Sequence, residues 1–291
     1  MELRVLEYFL AVAREQSISG AAESLHLSQP TLSRQLKDME DELGKQLIVR
    51  GNRKISLTEE GMILRKRAEE ILDLVRKTEN EIQVSDDYIS GDIYIGTGET
   101  HAMQLIAMTA KEIQEIYPNI HFHIVSGDSV DIIEKLNRGL YDFAILLGEI
   151  DTAKYDSIEL PCKDTWGVLT RKDSTLAKKK EIHPQDLWNE PLLLSRQSVK
   201  QYGIPTWLKR DITKLNVTAT YNLIYNASLM VQERMGHAIT LDHLVNTSGD
   251  SELCFKPLSP SLEIGMHIVW KKYQIFSKPT EIFLSRLQEK F

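Results

Sequence analysis

The sequence predicts an α/β protein in three parts: a winged helix-turn-helix, a long linker helix and a larger region of alternating strands and helices. Three observations predict it. Two short amphipathic helices between Ser17 and Leu43 are followed by a hairpin that closes at Thr58. From Gly61, apolar residues return at steps of three and four as far as Ile82. Beyond Gly91 the apolar period alternates between that of a strand and that of a helix, the mark of successive βαβ units.

Leu3 to Arg14 reads as a first helix that turns Leu6, Phe9, Val12 and Ala13 inward. Ser19 is placed to cap a second helix, in which Ala21, Ala22 and Leu25 form a small apolar face that lets a neighbour come close. His26–Leu27 is the joint. Ser28 then caps a third helix, with Pro30 in its first turn, where a missing N–H costs little. Leu32, Leu36, Met39 and Leu43 share one buried stripe. Pro30, Arg34 and Lys37 point away from it, Ser33 lies on its flank and Gln29 sits at the exposed end.

A helix that buries one face and offers Gln, Ser and Arg from its N-terminal half has the layout of a DNA recognition helix. Gln pairs bidentately with adenine, Arg with guanine, and Ser or Thr with a base or a phosphate. An ordinary helical hairpin with a solvated face shows the same pattern, so the segment that follows decides. Lys45 to Thr58 is a short apolar run, a turn at Gly51–Asn52, then Ile55 and Leu57 alternating with polar residues. That is a β-hairpin, a wing, with Arg50, Arg53 and Lys54 at or beside its tip. Basic residues there reach phosphates or the minor groove.

Four short runs in this stretch carry a resemblance: AAE at Ala21–Glu23, SQPTLS at Ser28–Ser33, LG at Leu43–Gly44 and LTEEG at Leu57–Gly61. The stretch is similar to the winged helix-turn-helix of LysR-type transcriptional regulators, essentially without a gap from Leu6 to Gly61. One departure is Ile48–Val49, where the family usually carries an aromatic; it is an exchange within the core. The resemblance implies sequence-specific binding to double-stranded promoter DNA. Ser28, Gln29, Pro30, Thr31, Ser33 and Arg34 would lie in or at the edge of the major groove, with Lys37 on phosphate and Arg53 on the wing. It also implies a homodimer through the linker helix, a homotetramer built from two such dimers, and RNA polymerase as a further partner. The C-terminal part would be a two-lobed, periplasmic-binding-protein-like domain for a small-molecule effector, with no cofactor. On this reading residues 1–58 bind DNA, 59–87 are linker helix and hinge, and 88–291 bind effector. Lobe I would hold 88–161 and 268–291, and lobe II 162–267.

Composition fits such a protein. Apolar residues make up 42% and charged ones 26%, as in soluble globular chains of two or three units. A net charge of −7 sits oddly with a DNA partner until it is divided. Residues 1–58 hold eight basic and eight acidic side chains, so the whole surplus lies beyond them. Local clustering decides nucleic-acid binding, not net charge. Asp38, Glu40, Asp41 and Glu42 fall at the far end of the third helix. Cys162 and Cys254 are too few and too far apart for a disulfide framework and read as small buried residues. The peroxide-sensing branch of the family keeps its reactive cysteines close in sequence, and this chain does not. Without a signal-like N-terminus or an apolar run of membrane-spanning length, the expected location is the cytoplasm, with no membrane partner.

After the wing, Thr58 caps the long helix, with Glu59 and Glu60 in its first turn. Gly61, Leu64, Ala68, Ile71, Val75, Thr78 and Ile82 form a narrow seam flanked by charges. A seam so narrow suits a partner helix; packing on the chain's own domain is the alternative. Asp86 to Gly91 is a polar hinge. Then come a strand at Ile93 and Ile95, a helix from Thr100 to Tyr117, a strand from Ile120 to Val125, a helix from Ser129 to Arg138 and a strand from Asp142 to Leu147. A second set has strands at Gly167–Thr170, Leu192–Leu194, Val217–Tyr221 and after Gly236, with helices at Pro205–Leu215 and Asn226–Met235. His267 to Trp270 and a helix from Pro279 to Lys290 close the chain. The resemblance implies crossings between lobes near Pro161 and Gly265.

In open α/β lobes ligands bind at the carboxyl ends of strands, near free helix N–H groups. Those places hold Thr97, Glu99 and Thr100, and Ser126, Asp128 and Ser129, with Ser195 and Asn226 facing them from the second lobe. Many family members hold an effector carboxylate there with hydroxyls. Here the matching positions fall near two acids, Glu99 and Asp128, which would repel an anion. Either the effector is cationic, zwitterionic or metal-bridged, or Thr100 and Ser129 take over, or the acids serve helix N-termini. His121 and His123 face one side of a strand, a metal pair only if a third ligand joins them. No nucleophile–base motif supports an enzyme. A free-standing solute receptor would explain two lobes but not the Ser28–Arg34 helix or the Leu64–Ile82 seam.

Overall fold

The computed structural model describes residues 1–51, 54–83, 89–199 and 202–291. The chain forms two compact units, Met1–Gln83 and Val84–Phe291.

The first unit comprises α1 (Leu3–Glu15), α2 (Ile18–Ser24), α3 (Gln29–Leu43), β1 (Ile48–Arg50), β2 (Ile55–Leu57) and α4 (Glu59–Gln83). Leu6, Phe9, Val12, Ala21, Leu32 and Leu36 make its core. The cap of α2 is Ser17, not Ser19: Ser17 Oγ accepts the Gly20 N–H at 3.2 Å. Ile18 must be buried as the first helical residue, which moves the cap one place before it. Ser28 caps α3 by accepting the Thr31 N–H at 3.3 Å. The buried stripe of α3 ends at Met39. Leu43 is exposed because the helix stops there and Gly44 turns the chain at φ 62°. Glu40, which reads as a solvated acid, is a strut: its Oε1 accepts the N–H groups of Leu47 at 2.7 Å and Ile48 at 3.0 Å, pinning β1 to α3.

β1 and β2 pair antiparallel, Ile48 opposite Leu57. Thr58 Oγ1 accepts the Gly61 N–H at 2.9 Å and donates to the Gln46 carbonyl at 2.8 Å, tying the start of α4 to the wing. The seam of α4 divides. Its first half packs on this unit's own core, with Ala68 and Leu72 buried and Leu64 and Ile71 against them. Ile82 at the far end is 77% exposed.

The second unit begins with β3 (Gly91–Thr97), α5 (Met103–Ile116), β4 (Ile120–Ser126), α6 (Ser129–Asn137), β5 (Phe143–Leu147) and the long β6 (Tyr155–Arg171). There follow α7 (Pro184–Leu187), β7 (Leu192–Ser195), α8 (Ile204–Leu208), β8 (Val217–Tyr221) and α9 (Ile224–Gln232). β9 (His237–Leu241), β10 (Leu253–Pro257), β11 (Glu263–Lys271) and α10 (Lys278–Lys290) complete it. Strands run in the order β4-β3-β5-β11-β6-β9-β7-β8, with β10 against β6. β3 pairs parallel with β4 and β5, as βαβ connections require. This is the two-lobed, periplasmic-binding-protein-like fold.

Four apolar clusters pack along the sheet among the described residues, and the two largest mark its two lobes. One gathers Ile93, Ile95, Phe143, Met266 and Phe283; the other Val168, Leu192, Leu194, Ile204 and Ile239. β6 and β11 serve both, running antiparallel, with the ladder broken between Gly265 and His267, opposite Pro161. Several elements differ from expectation. α5 starts at Met103, after a turn that buries Thr100. The 205–215 helix is the short α8, ended by Lys209 at φ 51°, followed by a 3₁₀ turn at Ile212–Lys214. α9 begins at Ile224, so Asn226 lies inside it. The sequence pattern predicts neither β10 nor the first half of β6. Among the described residues no helix is long and apolar enough to cross a membrane.

Candidate functional site

The first unit offers one polar face. Ser28, Gln29, Pro30, Thr31, Arg34 and Lys37 are exposed on α3, and Ser33 is half-buried beside them. Burial of Leu32, Leu36 and Met39 behind them holds the helix rigid. The Ser28 hydroxyl is spent on its cap and on Thr31, whose hydroxyl is 2.7 Å away. Arg34 stands 3.9 Å from Asp38 with both side chains exposed, a weak surface pair that a stronger acceptor displaces. Arg53 lies outside the described residues.

The second unit offers a cavity of about 60 Å³ between its two lobes, lined among others by Glu99, Trp166, Ser195, Tyr202, Tyr221 and Ile224. Glu99 hangs from the turn after β3, half-buried. Its Oε2 accepts the N–H of Ile224, the first residue of α9 in the opposite lobe. Burial raises the Glu99 pKa, and the Ile224 bond opposes the rise. Asp128 is the cap of α6, accepting the N–H groups of Val130 at 3.1 Å and Asp131 at 3.0 Å. Both acids therefore sit at helix N-termini, Asp128 on its own helix and Glu99 on one across the cleft.

The other expected positions scatter. Thr97 is buried and donates to the Gly98 carbonyl at 2.7 Å. Thr100, also buried, donates to Asp164 Oδ2 at 2.6 Å, so its hydroxyl does not face the cavity lining. Asp164 on β6 is 6% exposed, and burial raises its pKa despite the Thr100 bond. Ser126 is exposed at the end of β4, and Asn226 is exposed on α9; neither lines the cavity. Ser129 opens α6 beside the Tyr202 phenol, which donates to Gln197 Oε1 at 3.4 Å and whose pKa burial raises. Ser195 does line the cavity, its Oγ accepting the Gln197 N–H at 3.3 Å.

Sequence reasoning missed Trp166, Gln197, Tyr202, Tyr221 and Thr240 in the lining. Tyr221 ends β8 and Thr240 is the last residue but one of β9, the carboxyl-end rule that located Glu99. Nothing in the sequence flags Trp166 or Tyr202, which converge from distant segments. The Trp166 ring stacks on Tyr202 with centroids 6.2 Å apart. Its Nε1, buried, has no acceptor among the described residues.

On β4, His123 Nε2 is 3.0 Å from Asp92 Oδ1 and its ring stacks on Tyr94. His121 is 4.0 Å from the same oxygen. Among the described residues no group of three or more His, Cys, Asp or Glu could hold a metal ion. Cys162 and Cys254 are free, their thiol pKa values raised by burial.

Comparison with known proteins adds the following. Residues 3–62 match the model of the bacterial regulatory helix-turn-helix protein, lysR family. Residues 86–291 match the LysR substrate binding domain. The HTH-type transcriptional regulator BsdA of Bacillus subtilis is 36% identical over 222 residues, 75% of this chain and 74% of that protein. The DNA-binding transcriptional dual regulator OxyR of Escherichia coli is 30% identical over 195 residues, 67% of this chain and 63% of its own length. Among solved structures, full-length CbnR complexed with its target DNA matches over 100% of both chains, with a TM-score of 0.78 at 17% identity. Full-length BenM matches over 100% of this chain and 96% of its own, with a TM-score of 0.55 at 23% identity. At those identities the likeness is one of fold.

Proposed function

The chain belongs to the LysR family of bacterial regulatory helix-turn-helix proteins, and we propose from that premise how its parts divide the work. It is a DNA-binding transcriptional regulator with an effector-binding C-terminal unit. α3 enters the major groove, where Gln29, Pro30, Ser33 and Arg34 meet base edges and Lys37 a phosphate. Ser28 and Thr31 set the helix start, and Arg53 serves the wing. The observation that carries this is a row of exposed Gln29, Arg34 and Lys37 over a face that buries Leu32, Leu36 and Met39. The effector occupies the interlobe cavity beside Glu99 and Ser195 and shifts the lobes, altering DNA spacing and bend. Residues 1–58, 59–87 and 88–291 are the working parts. The protein acts in the cytoplasm as a homodimer or homotetramer, contacts RNA polymerase and catalyses no reaction. Pairing through α4 uses its far half, since the near half is spent on α1.

Arg34→Ala tests the DNA reading. A duplex selected by the protein from a random pool should bind the variant about tenfold more weakly or worse, the worth of one bidentate base contact. Sedimentation should show the oligomer unchanged. Undiminished binding, or loss of the oligomer, would refute the placement of α3.

A further inference from the structure

Thr100 and His101, the two residues after Glu99, touch the opposite lobe outside the cavity lining. Thr100, buried, donates to Asp164 Oδ2 at 2.6 Å. The His101 ring lies against that of His243, with centroids 5.0 Å apart and planes tilted by 42°. His243 and Asp164 stand on one side of the cleft. The Asp242 N–H donates to the Thr165 carbonyl at 2.9 Å and so ties the turn after β9 to β6. His243 holds φ at 63°, a left-handed conformation uncommon for a residue other than glycine. One turn of lobe I thus sets a hydroxyl and an imidazole against a carboxylate and an imidazole of lobe II.

The charges at this contact are unevenly placed. Asp164 is buried, whereas both imidazole rings are exposed. The two imidazoles act on the Asp164 charge, and among the described residues no Lys or Arg does. Cys162 precedes Asp164 by two residues on β6, and its thiol feels that charge. Asp242 Oδ2 lies 3.6 Å from His243 Nε2, and Lys163 pairs with Glu263 at 3.9 Å between exposed side chains. These groups are on β6 or tied to it, so they keep Asp164 company whether the lobes are together or apart. His101 arrives by closure. Burying a bare carboxylate is costly. A proton offsets that cost, either on Asp164 itself or on His101 as an imidazolium beside it. A second imidazolium, on His243, would repel the first across the ring contact, which holds the uptake to one proton.

We infer that closing the lobes takes up a proton at Asp164 and His101, so that mild acidification draws the cleft together and alkalinity loosens it. This rests on the proposed reading that the lobes move, and it asks for no ligand.

The test reads hydrogen exchange of the Ile224 amide, whose acceptor Glu99 lies on the other lobe. It is followed by NMR on the full chain at pH ~7.5 and ~6.5, with rates corrected for the intrinsic effect of pH on exchange. Amides of β3 and β7, which lie within single lobes, serve as controls. Protection of Ile224 should rise severalfold on acidification, towards the roughly tenfold per pH unit that one proton allows, with the controls unchanged. Glu99→Gln keeps an acceptor for Ile224 but does not titrate, and should show the same rise. Asp164→Asn should lose the rise or reverse it, because an imidazolium on His101 then meets His243 without the buried carboxylate. His101→Phe, which keeps a ring against His243, should move the rise to lower pH. A rise that survives Asp164→Asn, one that vanishes in Glu99→Gln, or protection that stays level or falls on acidification would each overturn the inference. Should Asp164→Asn not fold, His101→Phe decides in its place, since it alters an exposed ring; a rise left where it was would overturn the inference. Ile224 exchanging only together with the controls would overturn the proposed movement of the lobes, and the inference with it. Separate opening that ignores pH would overturn the inference alone.

Discussion

Two acids, Asp164 buried and Glu99 half-buried, weigh on how the C-terminal unit responds to pH. Asp164 and Glu99 both have pKa values raised, burial being the largest cause in each. The Thr100 hydroxyl and the nearby His101 and His243 pull Asp164 the other way without prevailing. An acid with a raised folded pKa binds its proton more tightly folded than unfolded. The contribution of these two acids is therefore most favourable below the ordinary carboxylate range and falls as pH climbs through the raised values, opposite in sign to that of ion-paired Asp173, whose pKa is lowered to about 2. Asp164→Asn keeps the shape and an acceptor for Thr100 while removing the titration. We expect it to flatten the dependence of melting temperature on pH above the ordinary carboxylate range and to raise the melting temperature near neutrality. A variant less stable at pH ~8, with the slope retained, would contradict this.

At the scale of elements, α4 is fixed by close approach rather than by side-chain packing alone. A Cβ on Gly61 would stand 2.1 Å from the Leu47 carbonyl oxygen, so the helix must lift off the wing to admit one. Gly61→Ala should cost about 1–3 kcal/mol in a thermal melt, and by displacing the wing it should weaken DNA binding as well. A neutral result would mean that the helix start yields freely. The same elements show what a sequence reveals. α3 and α4 were legible because a helix facing one core repeats its pattern throughout. Leu43 misled because periodicity continues past the point where a helix ends. β6 was hidden for the opposite reason: it leaves one core, crosses at Pro161 and enters another, so its burial follows no single alternation. The turn holding Glu99 was legible from strand order. Trp166 and Tyr202 were not, because the cavity wall they share is made by segments that meet only in the folded chain.

Over the whole effector unit, two carboxylates reach between the lobes, Asp164 to Thr100 and Glu99 to Ile224. Glu99 reaches from the β3 turn to the Ile224 amide, so this amide should resist hydrogen exchange as long as the cleft is closed. Glu99→Ala should speed its exchange by about tenfold or more while leaving amides of β3 and β7 unchanged, as read by NMR. Equal acceleration everywhere would mean global destabilisation instead. What the lobes turn about is equally plain. β6 and β11 cross together as an antiparallel pair, and the one interruption falls opposite Pro161, which has no N–H to give. Such a joint is a ribbon, not a loose string. Its ladder bonds persist on both sides of the gap, so a rotation of the lobes would have to twist both strands together. The amplitude of any rearrangement is bounded by how far two paired strands can be wrung before the ladder fails. Any turn of one lobe against the other would have to twist that ribbon at the point where Pro161 leaves a gap in its ladder.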